Sequence, residues 1–153
     1  MMKPGPPLFL VDTNLFIYAY DAAEIEKRAR AIEVVRVIGL AMTGAISVQI
    51  LGEFFTNVTR KPLVPLTLDQ ARDTSIRMSR SWRVLDVSLR THLDAVRGVA
   101  QYQLSYWDAL VWATARQSNV PSIVTEDQEH GRLIEDIRYI NPFAINFDMA
   151  LLR

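Results

Sequence analysis

The chain has 153 residues with 17 basic and 17 acidic side chains, so its formal net charge is zero, and 50% of its residues are hydrophobic. A chain of this length is expected to form a single domain, residues 1–153, that buries about 70% of the surface exposed by the unfolded chain. The absence of cysteine excludes disulfides, zinc–thiolate sites and thiol nucleophiles. A neutral charge balance also gives no global basic field that would indicate nucleic acid as a partner.

The amino-terminal residues indicate neither export nor membrane insertion. Residues 1–7 lead into an apolar segment that ends at Asp12, which is too short for the apolar region of a signal peptide and lacks a cleavage site. No stretch of the sequence approaches the roughly 20 apolar residues that a membrane helix needs. We therefore expect a cytoplasmic protein, and the lack of cysteine is compatible with that compartment.

Strands and helices are predicted to alternate in the first half of the chain. The apolar run before Asp12 indicates a buried strand, and later helices show apolar residues at helical spacing. The predicted elements, in chain order, are a strand at 8–11, a helix from Leu15 capped by Asn14, a helix at 25–40, a strand at 45–46, and a helix capped by Ser47 and stopped by the proline-containing segment 61–65.

The second half continues the alternation. Its predicted elements are a helix opened by a capping box from Thr67 to Gln70, a strand at 84–87, a helix capped by Ser88, a helix capped by Ser105 that runs to about Ser118, a strand at 120–125, and a last strand at 138–142 continued by 143–147. Strands that alternate with helices predict an α/β fold, in which a parallel sheet carries helices on both faces.

Two acidic residues follow predicted strands and are candidate metal ligands. Asp12 follows the first strand and Asp127 follows the strand at 120–125. Ligands of open parallel sheets bind beyond the carboxyl ends of the strands, where the strand order reverses. The alternative for Asp12 is a charge at a helix N-terminus, worth about 0.3–1 kcal/mol. Glu126 competes with its neighbour Asp127 for the second position, and the sequence leaves that choice open.

Two further acids have strong structural alternatives. Asp108 lies three residues after Ser105 and fits an acidic capping box, although it also borders an apolar helix face where a carboxylate needs a partner. Glu53 falls beside Gln49 on a helix face that is polar enough to be ordinary solvated surface. Clustered carboxylates repel one another and require a cation, and Mg²⁺ prefers oxygen ligands.

Other kinds of site have little support. No phosphate-binding glycine loop, dinucleotide fingerprint or nucleophile elbow is present. Of the two histidines, His92 falls inside a predicted helix, and His130 follows Asp127 closely enough to assist a metal or a leaving group. Several aromatic residues are candidates for base stacking, although packing in the core or between subunits is the commoner role: Phe16, Tyr18, Tyr20, Trp107 and Trp112.

The order and spacing of several short motifs together resemble a known family. The chain is similar to PIN-domain ribonucleases, in particular VapC-like toxins of type II toxin–antitoxin systems, over nearly its full length. The resemblance is carried by Val11-Asp12-Thr13-Asn14 and the aromatic run after it, Lys27-Arg28-Ala29, the segment from Glu53 to Lys61, Trp107-Asp108-Ala109-Leu110, Val124-Thr125-Glu126-Asp127, and Asn141-Pro142-Phe143.

This resemblance implies a three-layer PIN-like nuclease domain whose parallel strands have the order 3-2-1-4-5. It implies that Asp12, Glu53, Asp108 and Asp127 form an acidic site for Mg²⁺ or Mn²⁺, supported by Thr13, Asn14 and Thr125. The implied activity is metal-dependent endoribonuclease cleavage of RNA phosphodiester bonds by a toxin. The implied partners are RNA, a cognate antitoxin protein and a second copy of the chain in a homodimer.

Two other functions remain open at this point. The first is a PIN-like scaffold that has lost catalytic activity and binds only a partner, although the presence of all four acids is unfavourable to it. The second is an aspartate-nucleophile phosphatase, because Asp12 follows the first strand. That chemistry requires a second acid two residues later, where this sequence has Asn14.

Overall fold

A mostly parallel sheet forms the centre of the molecule. The computed structural model describes residues 5–61, 63 and 65–153. In the described residues the strands have the spatial order β3-β2-β1-β4-β6-β5, and β5 alone runs antiparallel to its neighbour. The strands are β1 (Phe9–Val11), β2 (Gly44–Ser47), β3 (Arg83–Leu85), β4 (Ser122–Val124), β5 (Leu133–Ile134) and β6 (Ile137–Ile140). The predicted α/β fold and parallel order are confirmed, with β6 as the fifth parallel strand.

In the part of the chain that the structure describes, six α-helices connect the strands, and most begin at the predicted capping residues. They are α1 (Thr13–Tyr18), α2 (Ile25–Ala41), α3 (Val48–Val58), α4 (Leu68–Ser81), α5 (Leu89–Tyr102) and α6 (Tyr106–Gln117), followed by a 3-10 helix at Met149–Leu152. The predicted caps Ser47, Thr67, Ser88 and Ser105 each accept a hydrogen bond from a backbone N–H of the first turn. No helix within the described residues is long and apolar enough to cross a membrane.

The helices form two layers because the strand order reverses at β1. The chain moves from β1 through β2 to β3 on one side, then returns to place β4 on the other side of β1. Right-handed crossovers in opposite directions put their helices on opposite faces of the sheet. Accordingly α1 contacts α2 and α3, and α3 contacts α4, whereas α5 packs on α6. The reversal point at β1 is therefore the expected place for a ligand site.

The core lies on both sides of β1. All three residues of this central strand are buried, and β4 and β6 contribute Ile123, Val124 and Ile140. The largest fully buried side chain is Trp112 of α6, whose ring lies against Gly98 of α5. A sheet buried on both faces explains why its strands appear in the sequence as continuous apolar runs.

Two local predictions are wrong, and one lies partly outside the described residues. Asp12, not Asn14, is the N-cap of α1, because the Asp12 carboxylate accepts a hydrogen bond from the Thr13 backbone N–H. The predicted strand at 143–147 is absent, since the Asn141 side chain accepts a bond from Phe143 N (2.9 Å) and turns the chain after β6. Helix α3 ends at Val58, and of the segment expected to stop it, residues 62 and 64 lie outside the described residues.

Candidate metal centre

Asp12 lies where β1 ends and α1 begins. Its side chain is 6% exposed and both of its oxygens accept hydrogen bonds. Oδ1 accepts from Thr13 N at 2.8 Å, and Oδ2 accepts from Thr125 Oγ1 at 2.9 Å. These two bonds fix the orientation of the carboxylate. One donor, Thr13, belongs to α1, and the other, Thr125, belongs to the segment that follows β4.

Asp127 follows β4, the strand beside β1, and its position is set by Thr125 and Asn14. Asn14 Nδ2 donates to Thr125 Oγ1 and to Asp127 Oδ2, both at 3.2 Å, and Asp127 N donates to Thr125 Oγ1 at 3.1 Å. Because Thr125 also donates to Asp12, one hydrogen-bond network joins the two strand ends. The structure thus brings the predicted supporting residues Asn14 and Thr125 together with the two acids that they support.

Asp108 lies in the first turn of α6. Its backbone N–H donates to Ser105 Oγ at 3.2 Å, which confirms Ser105 as the cap, while the reciprocal bond of a capping box to the Asp108 side chain is not formed. Its side chain nevertheless belongs to an acidic group, because one carboxylate oxygen from each of Asp12, Asp108 and Asp127 lies within 4.8 Å of the others. The first turn of α6 therefore has two roles. Ser105 caps its backbone, and Asp108 directs a carboxylate toward the ends of β1 and β4.

Glu53 lies on α3, beside this group of three acids but not within it. Its Oε2 accepts a hydrogen bond from Thr13 Oγ1 at 2.9 Å, and its Oε1 accepts from Gln49 Nε2. Gln49 Nε2 also donates to the Trp107 carbonyl oxygen at 3.2 Å. Glu53 is consequently tied to α1 through Thr13 and to α6 through Gln49, rather than free on a solvated helix face.

Glu126 is directed away from the acidic group. Its carboxylate forms an ion pair with Lys27 and accepts a hydrogen bond from Tyr18 Oη. The Lys27 ammonium also lies over the rings of Tyr18 and Phe143, at 4.9 and 5.8 Å from their centroids. Of the two neighbouring acids, Asp127 is therefore the one that joins Asp12 and Asp108.

The carboxylates of the group are costly to ionise without a counter-charge. The pKa of Asp12 is raised from 3.8 to about 7, chiefly by burial and also by the charges of Asp127 and Glu53, against the hydrogen bonds from Thr13 and Thr125. Burial also raises the pKa of Asp108 and of Asp127, and the Asp108 charge adds to the effect on Asp127. A cation at this position would stabilise all three ionised groups at once.

The acids open into a cleft of about 520 Å³. Its wall combines acidic, amide, aromatic and basic side chains: Asp12, Thr13, Asn14, Ile17, Tyr18, Asp21, Gln49, Glu53, Asn57, Lys61, Trp107, Asp108, Val111 and Asp127. Lys61 is the one cation among the described residues of this wall. The four acids predicted from the sequence all line the same cleft.

The donor set fits a hard divalent ion. Mg²⁺ and Mn²⁺ take carboxylate and water oxygens, and Mg²⁺ is bound through one or two carboxylates with several waters retained. Three carboxylate oxygens within 4.8 Å of one another, with no sulfur or imidazole in the group, match that preference. His130 is not part of it, because its Nδ1 accepts a bond from Asn141 N (3.0 Å) at the end of β6.

Gln49, Asn57 and Lys61 line the cleft but were not predicted as site residues. Gln49 and Asn57 lie four residues before and after Glu53 on α3, and residues at this spacing share a helix face. The spacing was therefore a usable signal once Glu53 was chosen. Lys61 follows the end of α3 and closes the motif from Glu53 to Lys61, and its place in that family motif is the signal that could have identified it.

The PIN domain family model matches residues 9–135, which is most of the chain and includes all four acids. The chain belongs to the PIN domain family. A comparison with curated proteins gives no significant match. The family model therefore assigns the domain, and solved structures provide a separate comparison of the fold.

Solved structures with this fold include bacterial toxins and toxin–antitoxin complexes. The chain is similar to a toxin–antitoxin complex from Klebsiella pneumoniae, with 20% identity, a TM-score of 0.64, and coverage of 89% of this chain and 98% of that one. VapC20 from Mycobacterium tuberculosis, described as a sarcin-ricin loop cleaving toxin, shares 20% identity with a TM-score of 0.60 over 75% and 86%. DNA-bound VapBC from Salmonella typhimurium shares 17% identity with a TM-score of 0.62 over 87% and 96%. These likenesses show a shared fold.

Proposed function

We propose that the protein is a magnesium-dependent endoribonuclease that hydrolyses RNA phosphodiester bonds, as the toxin of a type II toxin–antitoxin pair. The observation that carries this proposal is the convergence of Asp12, Asp108 and Asp127 within 4.8 Å at the reversal point of a PIN-domain sheet. The similar structures include a VapC toxin described as cleaving the sarcin-ricin loop and toxin–antitoxin complexes, which supports the same function and an antitoxin partner here.

The residues of the site have separable roles in this function. Asp12, Asp108 and Asp127 hold the ion, and Glu53 completes the acidic wall from α3. Thr13, Asn14 and Thr125 keep these carboxylates oriented through the hydrogen bonds described above. When bound, Mg²⁺ or Mn²⁺ polarises the phosphate and lowers the pKa of a water molecule.

The remaining cleft residues bind substrate in this proposal. The Lys61 ammonium lies on the wall of the cleft and offsets part of the charge of an incoming phosphate. The side chain of Asn57 offers amide hydrogen bonds to the backbone of the RNA, while the Gln49 amide already binds Glu53 and the Trp107 carbonyl oxygen. The chain acts as one PIN-like nuclease domain over residues 1–153 and forms a homodimer.

The phosphatase alternative has less support. Asn14 stands where that chemistry needs a second acid, and its amide already donates to Thr125 and Asp127. Both oxygens of Asp12 accept hydrogen bonds within the site, which suits a fixed metal ligand better than an attacking nucleophile. No observation favours an inactive scaffold, since all four acids are present and share one cleft.

The first prediction concerns Asp12→Asn. Loss of outer-shell partners costs about 10–100-fold in metal affinity or activity, so loss of a ligand is expected to lower RNA cleavage by about a hundredfold or more. Cleavage of a structured RNA is measured by gel electrophoresis with Mg²⁺ and with EDTA, on protein purified without an antitoxin. Wild-type protein should cut only with Mg²⁺.

Asp69→Asn is the matched control, since Asp69 lies on α4 with a side chain that is 87% exposed. It should cleave RNA as the wild type does. Equal cleavage by Asp12→Asn and Asp69→Asn, or full activity of the wild type in EDTA, would contradict the assigned site.

A further inference from the structure

One large aromatic side chain at the acidic cleft is exposed. Trp107 is 62% exposed and lines the cleft, whereas Trp112 is fully buried and Trp82 is partly buried against the core. Packing in the core therefore accounts for Trp82 and Trp112 but not for Trp107. An indole left in solvent at the mouth of a cleft has an apolar face available to a ligand.

Trp107 is held in place by its neighbours. The Tyr106 ring meets the Trp107 ring edge to face, with 5.0 Å between centroids, and Tyr106 Oη is hydrogen bonded to His92 Nδ1 at 2.8 Å. The Trp107 carbonyl oxygen accepts the bond from Gln49, the residue that also contacts Glu53. The backbone that carries the indole is therefore tied directly to the acidic wall.

Trp107 lies next to the acidic group that would hold the reacting phosphate. Trp107 directly precedes Asp108 in the first turn of α6, and Asp108 belongs to the group of three acids. A phosphodiester held at those acids has a nucleotide on each side. Trp107 lines the same cleft as these acids, so the indole borders the space that a neighbouring base would enter.

The charge of the molecule favours RNA binding only weakly, so other contacts have to supply most of the affinity. The formal net charge is zero, and Lys61 is the one cation on the cleft wall among the described residues. Few cationic contacts mean little counterion release on binding a nucleic acid. Stacking of a base on an aromatic side chain is largely independent of phosphate charge and accepts any base.

We propose that Trp107 is a substrate-binding residue whose indole stacks on an unpaired RNA base next to the phosphodiester held at Asp12, Asp108 and Asp127. The inference rests on the proposed function and adds to it a base-stacking residue, Trp107, beside the reacting phosphate. Duplex RNA keeps its bases stacked on one another and offers no free face to the indole.

Binding of a single-stranded RNA decamer of mixed sequence tests this inference, with Ca²⁺ in place of Mg²⁺ to limit cleavage. Stacking on the indole is expected to quench tryptophan fluorescence in the wild type. Trp107→Leu should lose the quenching and bind about tenfold more weakly, the size expected for one stacked base. Trp107→Phe should recover most of the affinity, because a phenyl ring also stacks. Trp82→Phe is the matched control and should bind and quench as the wild type does.

A decamer with abasic positions separates stacking from other effects of the substitution. Loss of the bases should weaken binding to the wild type and should not weaken binding to Trp107→Leu any further. Equal affinities of wild type and Trp107→Leu, or an additive loss with abasic RNA, overturn the inference. A shift of the oligomeric state in Trp107→Leu with unchanged RNA affinity also overturns it and places the indole in a subunit interface. If the wild type neither binds nor cleaves RNA, the proposed function itself fails.

Discussion

Asp12 carries the strongest conflict between burial and charge among the residues of the site. A buried carboxylate that accepts two hydrogen bonds still has its pKa raised to about 7, because desolvation exceeds the stabilisation that Thr13 and Thr125 provide. The metal-free protein therefore ionises Asp12 only at a cost. A bound cation would remove this cost, and we therefore expect the site to bind one.

The pH dependence of stability follows from this pKa. The Asp12 carboxyl has a pKa of 3.8 in the unfolded chain and about 7 in the folded protein. Below pH 3.8 it is protonated in both states and its contribution to the stability of the fold is complete. As pH rises through about 7 the folded protein must ionise a group that resists ionisation, and this contribution is lost. The loss amounts to about 4 kcal/mol at most, at 1.36 kcal/mol for each pH unit. In EDTA, Asp12→Asn should therefore gain stability relative to the wild type between pH 5 and pH 8.

Urea unfolding at several pH values measures this difference. Asp69→Asn, the exposed control on α4, should follow the wild type across the range. A difference between Asp12→Asn and wild type that stays constant from pH 5 to pH 8 would show that Asp12 titrates normally.

At the scale of elements, α5 and α6 approach each other closely at Gly98. A Cβ added to Gly98 would lie 2.8 and 2.9 Å from two ring atoms of Trp112, a fully buried side chain. Arg97 and Arg116 lie over the same indole, 5.1 and 5.2 Å from its centroid. The ring therefore has little room to move, and the absence of a side chain at residue 98 lets the helices approach.

Gly98→Ala is accordingly expected to destabilise the protein by about 1–3 kcal/mol through overpacking, despite the better helix propensity of alanine. Gly52→Ala is the matched control, because Gly52 lies inside α3 with nothing within 4 Å of an added Cβ. That control should gain up to about 1 kcal/mol. Denaturant midpoints compare the two variants, and equal shifts would mean that Trp112 moves aside freely.

Helix starts were predictable from sequence because the signal is local. Ser47, Thr67, Ser88 and Ser105 cap helices as predicted, and a short polar side chain before an apolar periodic run is sufficient to find them. The start of α1 was assigned two residues late, because both Asp12 and Asn14 are good caps and only the tertiary contacts of Asn14 exclude it. The two-residue strand β5 carries too few residues for any periodicity.

The site itself was predictable in part. Asp12 and Asp127 follow adjacent parallel strands, and that topology alone predicts their approach. Asp108 and Glu53 required the resemblance to a family, since each has an adequate local alternative. The choice between Glu126 and Asp127 depends on Lys27, which lies 99 residues from Glu126 in sequence and draws that side chain away. No rule based on neighbouring residues captures a contact of that range.

For the whole molecule, metal binding should be coupled to global stability. The acids come from β1, α3, α6 and the end of β4, so the unfolded chain has no comparable site. An ion that binds only the folded state at a hundredfold excess over its Kd adds about 2.7 kcal/mol. Mn²⁺ should therefore raise the melting temperature of the wild type.

This effect is measured by thermal unfolding with and without Mn²⁺. It should be lost in Asp12→Asn and kept in Asp69→Asn. An equal rise in both variants would indicate that Mn²⁺ binds elsewhere, and no rise in the wild type would remove the metal from the proposed function.

The position of β1 has a consequence for how the protein is made. This strand is the third in space but the first in sequence, and its neighbour β4 follows more than a hundred residues later. A ribosome adding about 5–20 residues per second thus finishes the helices α1–α6 before Asp127, the last of the four acids, is added. Under the proposed function, the acidic site cannot form on the ribosome until β4 and Asp127 have emerged, which gives an antitoxin time to be present.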